Sequence, residues 1–409
     1  MAQSEIAQLT WVALAAVAAP AAGLALRRWA VPGVVLELTL GVLLGPVLLD
    51  WVVPTGLVES FANFGLGLLM FLAGLEMNLS AMRGPPLRLA GLSWAGSLLG
   101  ALIVAVVLLV SGHRHAETVI ALSLTTTALG TLLPILRDAH VLDSPFGRHM
   151  LAIGSIGEFG PIVLVALFLS GAYPLLTVVL LAGFLLVAAG IAFAAARPWG
   201  RSVTNAFNHG LHSSSQLPVR VAMVLVIGLE FLTTELGLDV LLGAFGAGIV
   251  VRVAITDLPD TEKVGVFLGK LEAIGFGLFV PIFFIVSGAS LDLKSFAHNP
   301  AALAAIPVFV VLLLIVRGVP TLLCYRRIFP PRQTAGIALL SATGLPLIVV
   351  ITTIGTANHY IATQTGAALV AAGVVSVLVF PTAAMRITRA TAPTRRPTPT
   401  GPDDPGDAL

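Results

Sequence analysis

Apolar residues run along this chain in thirteen blocks, each closed by charged residues or by Gly/Pro clusters. The blocks lie at about 8–27, 32–50, 57–79, 87–111, 116–136, 147–170, 174–196, 217–236, 238–254, 264–290, 301–325, 333–356 and 360–385. A helix rises about 1.5 Å per residue, and a bilayer core is about 30 Å thick. Blocks of this length therefore predict an all-α polytopic membrane protein with thirteen transmembrane helices. The longest polar connector, 197–217, separates six spans after the first from six more. The tail 391–409 is rich in Pro, Thr and Asp and reads as disordered.

Composition agrees with the pattern. The 409 residues are 57% hydrophobic and 10% charged, with mean hydropathy +1.00. A soluble domain carries about a quarter charged residues. The single cysteine, Cys324, excludes an intrachain disulfide and a cysteine-based metal cluster. Met1 to Arg28 lacks a basic start, and its positive charges follow the apolar run, so it reads as an uncleaved first span.

Charge placement sets the orientation. With the N-terminus outside, all of the 22 Lys and Arg fall on the cytoplasmic side except Arg114, Lys294 and Arg317. The C-terminus is then cytoplasmic. The net charge of +2 reflects this topology and implies no nucleic-acid partner.

Two spans are interrupted. ALSLTTTALGTLLPIL (121–136) carries Thr125, Thr126 and Thr127, then Gly130 and Pro134. ALLSATGLPLIVVITTIG (338–355) carries Ser341, Thr343, Gly344 and Pro346. They occupy matching places in the two halves and run in opposite directions. Such a pair points to a transporter site at the interface of inverted repeats.

Each interrupted span has a charged neighbour. GRHMLAIGSIGEFGPIVLVALFLS (147–170) carries Glu158, and the span 301–325 carries Arg317. Glu158 lies about 15 Å along a helix from Arg148, and Arg317 about 13 Å from Arg326, so both reach the midplane. A charge at that depth costs several kcal/mol and marks a functional site by default. A carboxylate is a hard oxygen ligand that holds a proton or a cation, not both. Competition at Glu158 would couple the two flows. Thr125, Thr126, Thr127 and Ser155 are placed to supply oxygens in exchange for the ion's water. Glu37 and Glu76 are candidates for gating or helix contact, and Glu230 is a further intramembrane acid. The eight histidines fall mostly in loops or tails.

VPGVVLELTLGVLLGP (31–46), FGLGLLMFLAGLEM (64–77), LLGAFGAGIVV (241–251) and IGFGLFVPIFFIVSGASLD (274–292) resemble the signatures of a family. It is the second family of bacterial monovalent cation:proton antiporters, within the sodium/hydrogen exchanger superfamily. The resemblance covers about residues 8–385. It implies a homodimer in the bacterial cytoplasmic membrane and an elevator-type movement. Core spans would lie at about 87–170 and 301–385, with the interrupted pair crossing. Dimerisation spans would lie at about 8–79 and 217–290, with 174–196 as a linker. By position, Glu158 stands at the family's ion-binding acid, Thr126 and Thr127 in its crossing region, and Arg317 at its buried cation. Residue 157 is Gly where electrogenic relatives carry a second Asp, and the acid is Glu rather than Asp. The single acid implies one-for-one, electroneutral exchange. Span twelve, SATGLPL, lacks the acid or Arg often found there, and the chain does not resemble the potassium-efflux branch gated through a nucleotide-binding domain.

The expected function is exchange of Na⁺ or K⁺ for H⁺ without a cofactor. Alternatives are a gated monovalent cation channel or a non-transporting membrane sensor on the same fold. No nucleophile motif or phosphate loop suggests an enzyme.

Overall fold

The computed structural model describes residues 4–25, 33–76, 84–111, 116–139, 141–142, 144–169, 216–238, 240–256, 261–291 and 300–389, with isolated positions 179, 182–183, 186–188 and 190. Most of the linker span 174–196 and of the connector 197–217, and the tail 391–409, lie outside the described residues. So do Arg27, Arg28, Arg83, Arg114, Arg197, Arg201, Lys294, Arg395 and Arg396, on which the orientation partly rests.

The chain is helical throughout its described regular elements. In order these are α1 (Glu5–Ala25), α2 (Gly33–Leu44), α3 (Gly56–Glu76), α4 (Pro85–Val110), α5 (Ala116–Leu124), α6 (Leu129–Asp138), α7 (Pro145–Phe168), α8 (Leu217–Glu235), α9 (Val240–Thr256) and α10 (Thr261–Ile274). Then come α11 (Val280–Ala289), α12 (Pro300–Leu313), α13 (Val319–Tyr325), α14 (Pro331–Ser341), α15 (Pro346–Ala357) and α16 (Thr363–Arg389). Among the described residues, nine helices are long and apolar enough to cross a membrane, and three more are shorter and apolar. They fall in order on the expected spans other than 174–196.

Proline explains several local features. It cannot donate to the carbonyl four residues back, and its ring crowds that carbonyl. Wide π-turns at Gly275–Phe279 and Leu314–Gly318 each lie just before a proline, Pro281 and Pro320. The second turn carries Arg317. Pro145 opens α7, where the Ser144 hydroxyl accepts the Gly147 N–H at 3.1 Å. Pro346 starts α15.

The motif glycines sit where helices touch backbone to backbone. A Cβ on Gly74 of α3 would strike the Phe245 carbonyl and Gly248 of α9, and one on Gly248 would strike Phe71 and Leu75. Gly41 of α2 and Gly288 of α11 meet in the same way. Small residues permit this approach where lipid offers no hydrophobic drive between helices. One group of helices thus packs together through α1–α3 and α8–α11. A second comprises α4–α7 and α12–α16. The groups meet along α7 and α9, where Phe159 stacks on Phe245 with ring centroids 5.5 Å apart. An apolar gap lined by Ile162, Val165, Leu241, Leu347 and Val350 lies on this seam.

Candidate functional site

Two helix interruptions meet inside the second group. The first is at Thr125–Ala128, between α5 and α6. It lies upstream of Gly130 and Pro134, which sequence reading had marked. Both belong to α6, and the Pro134 side chain lies outside the described residues. Three adjacent threonines account for the position. The Thr125 and Thr126 hydroxyls turn back onto the Leu122 and Ser123 carbonyls, each at 2.8 Å, closing the end of α5. The second interruption follows Ser341 and runs through Thr343 and Gly344 to Pro346.

The interruptions are stitched together. The Ala128 N–H donates to the Thr343 carbonyl at 2.8 Å, and the Thr127 hydroxyl to the Ser341 carbonyl at 2.6 Å. Gly344 sits against the Thr126 hydroxyl, with no room for a Cβ. Ser376 of α16 accepts the Gly344 N–H at 3.2 Å.

Glu158 of α7 is 4% exposed. Its helix joins the first interruption through a freed carbonyl. Pro161 has no N–H to offer Gly157, so the Gly157 carbonyl accepts the Thr127 N–H at 2.9 Å. The Gly130 N–H donates to the Glu158 carboxyl. Gly130 lies in the first turn of α6, where backbone donors lack partners within the helix and the dipole favours negative charge. Ser155, one turn before Glu158, is also buried.

Arg317 is fully buried. Its Nε donates to the Thr127 hydroxyl at 2.9 Å, and Nη2 donates to the same oxygen. Nη1 donates to Ser97 at 3.2 Å, and Nη2 to the Ile153 carbonyl at 3.4 Å. Ser341 donates to the Arg317 carbonyl at 3.3 Å. The guanidinium therefore rests on neutral acceptors beside the meeting point of the two interruptions, and none of these bonds is to Glu158. The Thr127 hydroxyl is committed to Arg317 and Ser341. The Thr125 and Thr126 hydroxyls have given their hydrogens to carbonyls and keep oxygen lone pairs.

Of the other acids, Glu76 ends α3 close enough to Glu158 for their charges to interact. Glu37 lies on α2, which packs on α1 and α11. Glu230 lays its carboxyl in the notch at Gly67 of α3. Among the described residues, no three His, Cys, Asp or Glu side chains are grouped to hold a metal ion.

Sequence reading missed the residues that brace this site. Trp94 of α4 donates from its indole to the Thr125 carbonyl at 3.3 Å. Ser93 hydrogen-bonds Thr321 at 2.7 Å. A visible signal existed, since Ser93 and Trp94 lie one turn before Ser97 on a 26-residue helix whose one charged residue is Arg88. Ser376 gave no such signal, and for Pro161 only the structure shows that the Gly157 carbonyl it frees on its own helix meets Thr127.

The family model for the transmembrane sodium/hydrogen exchanger matches residues 12–389. The Bacillus subtilis protein YjbQ is 26% identical over 404 residues, covering 93% of this chain and 63% of YjbQ. The chain thus spans less than two thirds of that relative. The Na(+)/H(+) antiporter of Enterococcus hirae is 26% identical over 67% of this chain and 70% of its own length. The Na(+)/H(+)-K(+) antiporter GerN of Bacillus cereus is 26% identical over 69% of this chain and 71% of its own. In fold, the chain is similar to the sodium proton antiporter MjNhaP1 from Methanocaldococcus jannaschii at pH 8. The TM-score is 0.67 at 16% identity, over 93% of this chain and 98% of that one.

Proposed function

The chain belongs to the transmembrane sodium/hydrogen exchanger family, and on that premise we propose that it exchanges a monovalent cation, Na⁺ or K⁺, for H⁺. Relatives are named for both ions. The observation that carries the reading is Glu158, a buried carboxyl held at the N-terminus of α6 beside the meeting point of two interrupted helices. A carboxylate there binds either a proton or a cation. The Gly130 N–H at the start of α6 orients the carboxyl.

Ligands beyond Glu158 come from the opened helix, at the Thr125 and Thr126 hydroxyls, and from Ser155, one turn before Glu158 on α7. The Thr127 hydroxyl instead anchors Arg317 to the crossing. With Gly at position 157, each cycle carries one proton against one cation and is electroneutral. The two interrupted helices belong to inverted repeats, and α4–α7 with α12–α16 form the moving core. It slides against α1–α3 and α8–α11, which form the dimer scaffold, along the seam of α7 and α9. The N-terminus is outside and the C-terminus cytoplasmic, in the cell membrane of a bacterium.

Everted membrane vesicles test this. Addition of Na⁺ or K⁺ collapses the signal of a ΔpH probe, and Glu158→Gln abolishes the response while the protein still reaches the membrane. Normal exchange in that variant removes Glu158 from the mechanism. Ion flux uncoupled from protons would favour a channel.

A further inference from the structure

Trp94 touches both parts of the site that have to be held in register. Its indole N–H donates to the Thr125 carbonyl at 3.3 Å. That carbonyl belongs to the interruption, where the helix supplies no N–H four residues on. The face of the same ring lies against Gly160 of α7, two residues beyond Glu158, and leaves no space there for a Cβ.

The helix that presents Trp94 is itself tied to the crossing. Ser93 bonds Thr321, and Ser97 accepts from Arg317. Gly96 of α4 lets Pro320 approach closely, and Gly100 lies beside Val316. A single face of α4 therefore runs from the Arg317 turn to the Thr125 carbonyl.

We propose that Trp94 is a positioning residue that sets cation affinity and ion preference. Its N–H holds the Thr125 carbonyl out of the ion's ligand shell, and its ring fixes the spacing between the interruption and Glu158. An indole N–H is a donor only, so it competes with a cation for that carbonyl and contributes no ligand itself. The number and reach of carbonyl dipoles around an alkali ion set the preference among ions. The inference rests on the exchange reading above.

The test is exchange in proteoliposomes, with KM and maximal rate measured for Na⁺ and for K⁺ on wild type, Trp94→Phe and Glu158→Gln. Trp94→Phe keeps an aromatic ring and removes the donor. The expected result is a KM for K⁺ lowered roughly three- to tenfold, as the carbonyl freed from the indole joins the ligand shell, the effect of one hydrogen bond exchanged for an ion contact. The maximal rate stays within about twofold, and the Na⁺-to-K⁺ ratio of KM shifts toward K⁺. Gly160→Ala, which displaces the ring, shifts KM in the same direction. If Trp94→Phe folds poorly, β-(3-benzothienyl)alanine at position 94 retains the bicyclic shape and lacks the N–H.

Unchanged KM values and an unchanged ion ratio in that isosteric protein overturn the role of Trp94 while leaving exchange intact. A fall in maximal rate alone, matching the loss of folded protein, also overturns it, since that is a purely structural effect. Absence of exchange in wild type overturns the functional reading and this inference with it.

Discussion

Arg317 fills the space that a side chain at Gly157 would need. A Cβ built there meets Arg317 Nη2 and the Thr127 hydroxyl. The missing second acid and the buried cation are thus two sides of one packing arrangement. Gly157→Asp is expected to retain more thermal stability than the near-isosteric Gly157→Asn, because an aspartate can pair with the guanidinium it displaces. Both should be less stable than wild type, by about 1–3 kcal/mol for overpacking. In an Arg317→Gln background the advantage of Asp over Asn should vanish. An advantage that persists there would show that Arg317 is not the partner.

Arg317 makes its contacts as a planar fork, with Nε and Nη2 on one oxygen and Nη1 on another. A lysine cannot reproduce that geometry. Arg317→Lys is expected to lose about 2 kcal/mol or more of stability, from unsatisfied buried partners. Thermal unfolding in detergent measures this. Stability equal to wild type would mean that charge alone is required.

Pro161 frees the carbonyl that joins α7 to the first interruption. Pro161→Ala restores a backbone N–H four residues after Gly157, and that N–H competes with Thr127 for the same oxygen. The expected outcome is a helix as stable as wild type, or more so, with exchange reduced roughly threefold or more, from one lost hydrogen bond at the site. Undiminished exchange would mean that the Thr127–Gly157 bond is dispensable.

The helices were legible because lipid imposes long apolar runs, and Glu158 and Arg317 stood out because charges are rare within them. The second interruption was legible from Pro346. The first was displaced from the Gly130–Pro134 pair, because the Thr125 and Thr126 hydroxyls cap α5 ahead of it. Depth alone put Glu158 and Arg317 at one level of the membrane. Depth does not give the direction a side chain faces, and the π-turn beneath Pro320 sits where Arg317 reaches Thr127, Ser97 and Ile153. The grouping of Trp94 with Ser93 and Ser97 marked that face of α4, but its partner is a backbone carbonyl, which residue type does not reveal.

Glu158 ties the two flows together only if proton and cation compete for it. Competition has a signature that regulation at a distance lacks. As pH falls, the apparent KM for Na⁺ should rise, by up to about tenfold per unit on the acid side, since each unit raises proton occupancy in that proportion. The maximal rate at saturating Na⁺ should stay constant, because enough cation displaces every proton. Glu158→Asp should keep this competitive pattern with a higher KM, its carboxyl being one methylene further from the Gly130 N–H. Initial rates in proteoliposomes, over a matrix of Na⁺ concentration and pH, separate the cases. A maximal rate that falls with pH while KM stays fixed would place the proton on a group other than the cation's, and Glu158 would no longer be the shared seat.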